Sequence, residues 1–125
     1  MFLKVFRHKY FSKKAFGKSN TVCGVAVNRL FVNSDGSIAL CPILNEKEHV
    51  IGHIKDNYKN IKKMWLNNRL LNYIRNKEYL NETCKKCKYL EYCYEGCIGK
   101  SWQEQNNYKK IDEWYCNKIQ HVFKR

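Results

Sequence analysis

The feature that most constrains this chain is the stretch CKKCKYLEYCYEGC at residues 84–97, which places four cysteines within fourteen positions. Three more, Cys23, Cys41 and Cys116, bring the total to seven. An odd number argues against a closed disulfide framework, and residues 1–20 carry six Lys or Arg without the continuous apolar segment of an export signal. We therefore expect a cytoplasmic protein whose clustered thiols hold metal rather than each other.

The spacing within this run distinguishes between metals. A zinc ribbon joins two C-x2-C pairs across a separation of about 15 to 20 residues, whereas here only five residues lie between the second and third cysteines and the last gap is x3. Iron-sulfur clusters are larger and accept bunched cysteines whose last member reaches a second cluster. The spacing favours iron-sulfur ligation, with zinc and free or disulfide thiols as the alternatives. Lys85, Lys86 and Lys88 would either lower the thiol pKa values or stay solvated.

A β-hairpin is predicted upstream of this run. The apolar segments Leu30–Val32 and Ile38–Leu40 flank Asp35-Gly36, a dipeptide typical of a type I′ turn. A two-residue turn at this position would place Leu30 opposite Cys41.

Helices are predicted on both sides of the cysteine run. Residues 61–75 predict an amphipathic helix with Asn60 as its N-cap, because apolar residues recur there at helical spacing. Residues 83–99 predict a loop with one helical turn at 88–92. A short helix near the end of the chain would deliver Cys116, with Asp112 and Glu113 in its first turn.

The domain organisation follows from these elements. We expect residues 1–20 to form a basic N-terminal arm or linker and residues 21–125 to form one small, cysteine-rich α+β iron-sulfur domain, with a β-hairpin, an amphipathic helix and cluster-binding loops. No apolar run approaches the length of a membrane span.

The complete cysteine pattern resembles that of the SPASM domain, the C-terminal auxiliary-cluster extension of radical SAM enzymes that modify peptides and proteins. It reads Cys23-x12-Gly36-x4-Cys41, a gap of 42, then Cys84-x2-Cys87-x5-Cys93-x3-Cys97-x18-Cys116. Asp35-Gly36, Cys41-Pro42, the stretch 51–54, Trp65 and Gly96-Cys97 also match. The resemblance implies a SPASM- or twitch-like fold.

Two auxiliary 4Fe-4S clusters are implied by the same resemblance. The first would be held by Cys23, Cys41 and Cys97, with its fourth ligand unassigned. The second would be held by four thiols, which are Cys84, Cys87, Cys93 and Cys116. His8 could be proposed as the fourth ligand of the first cluster, but a lone histidine in a basic arm is more often solvated than ligating.

The function that follows is electron transfer or peptide substrate engagement beside a radical SAM enzyme or core domain. The C-x3-C-x2-C motif of the SAM-cleaving core is absent from the sequence, so we do not expect this polypeptide to cleave SAM, or to be an enzyme, on its own. A partner would supply that core, and a peptide or protein would be the substrate.

The alternative function is a basic zinc module that binds nucleic acid, which a net charge of +13 and nine tyrosines would suit. The aromatic residues form no recognisable stacking platform, so the iron-sulfur interpretation is preferred. No nucleophile-base pair or Gly-rich phosphate loop points to a self-sufficient hydrolase or transferase.

Overall fold

The computed structural model describes residues 2–4 and 23–123, and it confirms the predicted α+β class. The elements in chain order are β1 (Phe2–Lys4), β2 (Arg29–Val32), β3 (Ser37–Ala39), β4 (Val50–His53), α1 (Tyr58–Asn67), α2 (Arg69–Arg75), α3 (Glu82–Lys85), α4 (Leu90–Cys93), α5 (Ile98–Gln105) and α6 (Glu113–Phe123). A 3-10 turn at Lys47–His49 precedes β4.

The chain divides into two compact units. Of the described residues, unit 1 contains 2–4 and 24–78, and unit 2 contains Cys23 and 79–123. Unit 1 therefore holds the sheet with α1 and α2, and unit 2 holds α3 to α6. Apart from β1, the predicted N-terminal arm lies outside the described residues, and His8 lies there with it.

The sheet of unit 1 is antiparallel, in the order β1-β2-β3-β4. The predicted hairpin is present as β2 and β3, but the predicted register is wrong by one residue. Phe31 pairs with Ala39, so Leu30 does not stand opposite Cys41.

The register differs because the turn has three residues instead of two. The amide of Asn33 donates to the carbonyl of Ser37 (2.9 Å), and Gly36 has a φ of +86°. A three-residue loop ending in a left-handed glycine is the next commonest hairpin connection after the two-residue turn. The carboxylate of Asp35 stabilises this turn by accepting from the amide and hydroxyl of Ser37.

The predicted helix over 61–75 is two helices, and its predicted N-cap is wrong. Asn57 caps α1 by accepting from the amide of Asn60. Asn68 then leaves the helical region, with ψ of 128°, and its side chain accepts from the amides of Leu70 and Leu71. An asparagine side chain that can satisfy free amides in this way ends one helix and begins the next.

Unit 2 is mostly helical. The predicted turn at 88–92 lies close to α4, while α3 lies inside the region that was predicted as loop, and α5 was not predicted at all. The predicted helix that carries Cys116 is confirmed as α6, although it continues to Phe123.

Most of the buried apolar side chains belong to unit 1. Unit 1 contributes ten, which are Val25, Ala26, Leu30, Ile38, Ala39, Leu40, Leu44, Trp65, Leu71 and Ile74. Among the described residues unit 2 contributes three, which are Tyr79, Leu80 and Tyr94. The described part of unit 2 therefore contributes fewer buried apolar side chains than the described part of unit 1. No described helix combines the length and the apolar character that a membrane crossing requires.

Candidate metal centre

Four of the predicted ligands surround one pocket in unit 2. The pocket contains ≈ 350 Å³ of space that no protein atom fills, part of it open to solvent. Its lining includes four cysteines, which are Cys84, Cys87, Cys93 and Cys116. The other lining residues are Tyr89, Leu90, Glu95, Ile111, Ile119 and Gln120. Thiols from three helices and one loop therefore face a common space.

Two of these thiols are positioned by α3. Asn81 caps this helix by accepting from the amide of Cys84 at 2.8 Å. The amide of Cys87 donates to the carbonyl of Cys84 at 3.0 Å, which continues the turn beyond the end of α3. The C-x2-C pair therefore lies on one tight turn, and its geometry depends on the Asn81 cap.

The chain turns sharply between the third and fourth cysteines of the run. Tyr94, Glu95 and Gly96 have φ values of 44°, 68° and 76°, three consecutive left-handed residues in a region that side chains other than glycine rarely occupy. At Gly96 a Cβ would lie 3.0 Å from the Cβ of Asp112. This turn separates Cys93, which lines the pocket, from Cys97, which is not among the described residues that line it.

The fourth pocket cysteine is delivered by α6. Asp112, only 3 % exposed, caps this helix by accepting from the amide of Tyr115 at 3.1 Å. The ammonium of Lys100, on α5, donates to the same carboxylate oxygen at 3.0 Å. Asp112 therefore fixes the first turn of α6, from which Cys116 projects.

A buried carboxylate lies in the same pocket. Glu95 is 2 % exposed and accepts from the backbone amide and the side-chain amide of Asn81, at 3.1 and 2.8 Å. Burial raises the pKa of Glu95 to about 7, against the lowering effect of these two hydrogen bonds. The side chain of Asn81 contacts both Cys84 and Glu95. It therefore connects the segment that carries Cys84 to the segment that carries Cys93.

Tyr79 lies close to the carboxyl group of Glu95 and to Cys23. Its pKa is raised to about 12, first by burial and then by the charges of Glu95 and Cys23. The phenol is therefore neutral at physiological pH.

Burial is the main influence on the pKa values of two thiols of the run. Burial raises the pKa of Cys84 to about 12 and also raises that of Cys93. Lys85 pairs with Glu82 at 2.7 Å, and the ammonium of Lys88 lies 4.8 Å from the centre of the Tyr89 ring. The role of these lysines beside a bound metal stays a prediction. Because ligation requires thiolates, metal binding here must release protons.

The donor set limits which metals would fit this pocket. Cysteine sulfur is a ligand both for structural zinc and for iron-sulfur clusters. Four cysteines line the pocket, and four is the number of cysteines that a 4Fe-4S cluster takes. The residues present therefore fit an iron-sulfur cluster, and four thiols would also fit one tetrahedral zinc ion.

The other three cysteines are divided between the units. Cys41, in unit 1, follows β3, and its sulfur accepts from the amide of Leu44 at 3.2 Å. In unit 2, Cys23 is exposed and Cys97 is the N-cap residue of α5.

Sequence reasoning missed two side chains that line the pocket, Glu95 and Gln120, and one that contacts its lining residues, Asn81. Glu95 gave no signal, because an isolated glutamate in a cysteine-rich loop is ordinarily solvated. Asn81 could have been recognised as an N-cap candidate three residues before Cys84. Gln120 could have been recognised as the residue one helical turn after Cys116.

Comparison with known proteins gives two matches. A family model described as an iron-sulfur cluster-binding domain, SPASM, matches residues 23–88. The cysteine-type anaerobic sulfatase-maturating enzyme of Clostridium perfringens is 26 % identical over 109 residues, covering 86 % of this chain and 29 % of that enzyme. The chain therefore spans less than a third of that relative's length. No solved structure matches.

Proposed function

This chain belongs to the SPASM family of iron-sulfur cluster-binding domains, and from that premise we propose that it binds two 4Fe-4S clusters and works beside a radical SAM maturase. The observation that carries the proposal is the pocket of unit 2, which is lined by the four cysteines that the family's pattern assigns to one cluster.

The two clusters would use different ligand sets. Cys84, Cys87, Cys93 and Cys116 would hold one cluster in the pocket of unit 2. Support comes from their common pocket and from the elements that fix them. Cys23, Cys41 and Cys97 would hold the other cluster, with a fourth ligand still to be assigned. Support for this second set is the family's cysteine pattern.

A bound cluster would supply one-electron chemistry, and the residues around the pocket would set its environment. The apolar side chains of Leu90, Ile111 and Ile119 line the pocket and would restrict water. The amide of Tyr89 donates to the sulfur of Cys87 at 3.4 Å. Such N–H···S hydrogen bonds stabilise negative charge on ligating sulfur and are one of the means by which proteins tune cluster potentials.

The proposed role is electron transfer, peptide substrate engagement, or both, in the cytoplasm. A relative that matures sulfatases supports a protein or peptide substrate. Because the C-x3-C-x2-C spacing does not occur in this sequence, the SAM-cleaving core would be carried by a separate partner or by another part of a longer chain.

The test is an elemental analysis of protein purified and reconstituted without oxygen. We expect about eight iron and eight sulfide per chain, as two cubane clusters require. Replacing one ligand of each set, in the separate variants Cys84→Ser and Cys41→Ser, should reduce both values to about four. Lys86→Gln, a change in the same loop that removes no thiol, should leave them at about eight. Zinc without acid-labile sulfide in the unmodified chain would refute the proposal.

A further inference from the structure

The side chain of Gln120 makes a hydrogen bond to one of the pocket cysteines, Cys116. Gln120 lies one turn after Cys116 on α6, and its Nε2 donates to the sulfur of Cys116 at 3.2 Å. It also lines the pocket and is partly buried. The contact joins side chains at positions i and i+4, so the helix itself holds the donor against the sulfur.

The chemistry of the two groups determines which end of the amide faces the sulfur. A ligating thiolate carries no proton and can only accept hydrogen bonds. The NH2 end of the glutamine is therefore attractive to the sulfur, whereas the carbonyl end would be repelled by it. Leu90, Ile111 and Ile119 also line this pocket, and in such surroundings a hydrogen bond to a charged group is stronger than it is in water.

We propose that Gln120 sets the reduction potential of the cluster held by Cys84, Cys87, Cys93 and Cys116, by stabilising its reduced state through the sulfur of Cys116. This inference rests on the proposed function. Reduction adds one electron and one unit of negative charge to the cluster, and part of that charge is carried by the ligating sulfurs. The hydrogen bond is therefore stronger in the reduced state, which raises the potential. No proton is transferred.

Gln120 acts through Cys116 and is a positioning residue. The described N–H···S contacts of Cys41 and Cys87 come from the backbone amides of Leu44 and Tyr89. A backbone donor is retained whatever side chain occupies its position. The contact from Gln120 depends on one side chain, so a single substitution removes it without removing a ligand.

The test is a redox titration, followed by electron paramagnetic resonance, of the reconstituted full chain. Gln120→Leu keeps a similar helix propensity but removes the donor. At the wild-type midpoint potential we expect the reduced-to-oxidised ratio to be about three- to tenfold lower than in the wild type, where tenfold corresponds to about 59 mV for one electron. The affected transition should be the one that Cys84→Ser abolishes.

A second variant and a matched control complete the design. Gln120→Glu keeps the shape of the side chain but adds negative charge, so its ratio should be lower than that of Gln120→Leu. Gln103→Leu, the same change at an exposed position on α5, should leave the ratio unchanged.

Iron and sulfide are counted in every sample, which separates the two hypotheses. If either Gln120 variant has the iron and sulfide contents of the wild type and an unshifted reduction potential, the role of Gln120 is overturned and the proposed function stands. Absence of sulfide from the wild type would instead overturn the proposed function, and this inference with it.

Discussion

At the scale of single residues, the side chain of Asn81 makes three hydrogen bonds around the pocket of unit 2 that were not predicted from the sequence. Its carboxamide oxygen accepts from the amide of Cys84, and its nitrogen donates to Glu95 and to the carbonyl of Lys109. A buried carboxylate that loses a hydrogen-bond donor has a larger desolvation cost, because the remaining contacts no longer offset its burial. Asn81 therefore holds both Cys84, a proposed ligand, and the buried carboxyl group of Glu95.

We predict that Asn81→Ala lowers the free energy of unfolding by about 1 to 3 kcal/mol, through the lost cap and the lost donor to Glu95. The iron content should fall towards that of a single cluster, because Cys84 loses its anchor. Urea unfolding of the reconstituted protein, together with iron analysis, measures both effects.

Asn107→Ala is the matched control for this change. Asn107 is exposed and its side chain accepts only from the nearby amide of Lys109 among its described contacts. We expect a small loss of stability and no loss of iron. Equal effects in the two variants would show that Asn81 has no special role at the pocket.

At the scale of elements, the position of α6 depends on the residue that precedes it. Asp112 supplies the N-cap and the partner of Lys100, and its Cβ lies against Gly96. The sequence predicted both the helix and an acidic residue at its start. The contact with Lys100 was not predicted, because the two residues lie on different elements and only packing brings them together.

We predict that Asp112→Ala destabilises the protein by about 0.5 to 2 kcal/mol, since it removes the N-cap of α6. The iron content should fall as well, because α6 carries Cys116. Asp112→Asn keeps a capping oxygen and should cost less. Thermal unfolding and iron analysis measure the two effects.

Glu104→Gln provides the control for the ion pair. Glu104 also lies near Lys100, at 3.9 Å, but it is exposed. Exposed ion pairs contribute little to stability, so both measurements should remain at wild-type values. A loss in this variant as large as that in Asp112→Ala would contradict the capping role of Asp112.

At the scale of the whole molecule, the two units differ in what holds each of them together. Among the described residues, unit 1 buries ten apolar side chains and unit 2 buries three. Small folds with too little hydrocarbon core commonly depend on a metal for stability. Unit 2 also carries the four thiols that face the pocket, so its folding should depend on the bound cluster more than the sheet does.

We predict that removal of iron unfolds unit 2 selectively. Hydrogen exchange measured by mass spectrometry, with and without chelation of the reconstituted clusters, should show the larger loss of protection over residues 79–123. The strands β2 and β3 serve as the internal reference and should keep most of their protection. Equal loss in both regions would mean that the two units unfold together.

Much of this protein could be predicted from its sequence. Cysteine spacing indicated the iron-sulfur class and the family, because the number and separation of ligands are properties of the chain itself. The Asp-Gly turn and the periodic apolar residues predicted the hairpin and the α+β class, because these signals are local.

Only the tertiary structure decided the surroundings of the thiols, whereas the hairpin register and the break at Asn68 are local features that the pattern of apolar residues does not resolve. The register was decided by the three-residue loop that Gly36 closes, and the break by a side chain competing for free amides. Glu95 and Lys100 acquire their roles from partners 14 and 12 residues away in sequence. Packing determines such pairs, because burial removes water and makes each polar group depend on the particular neighbour that replaces it.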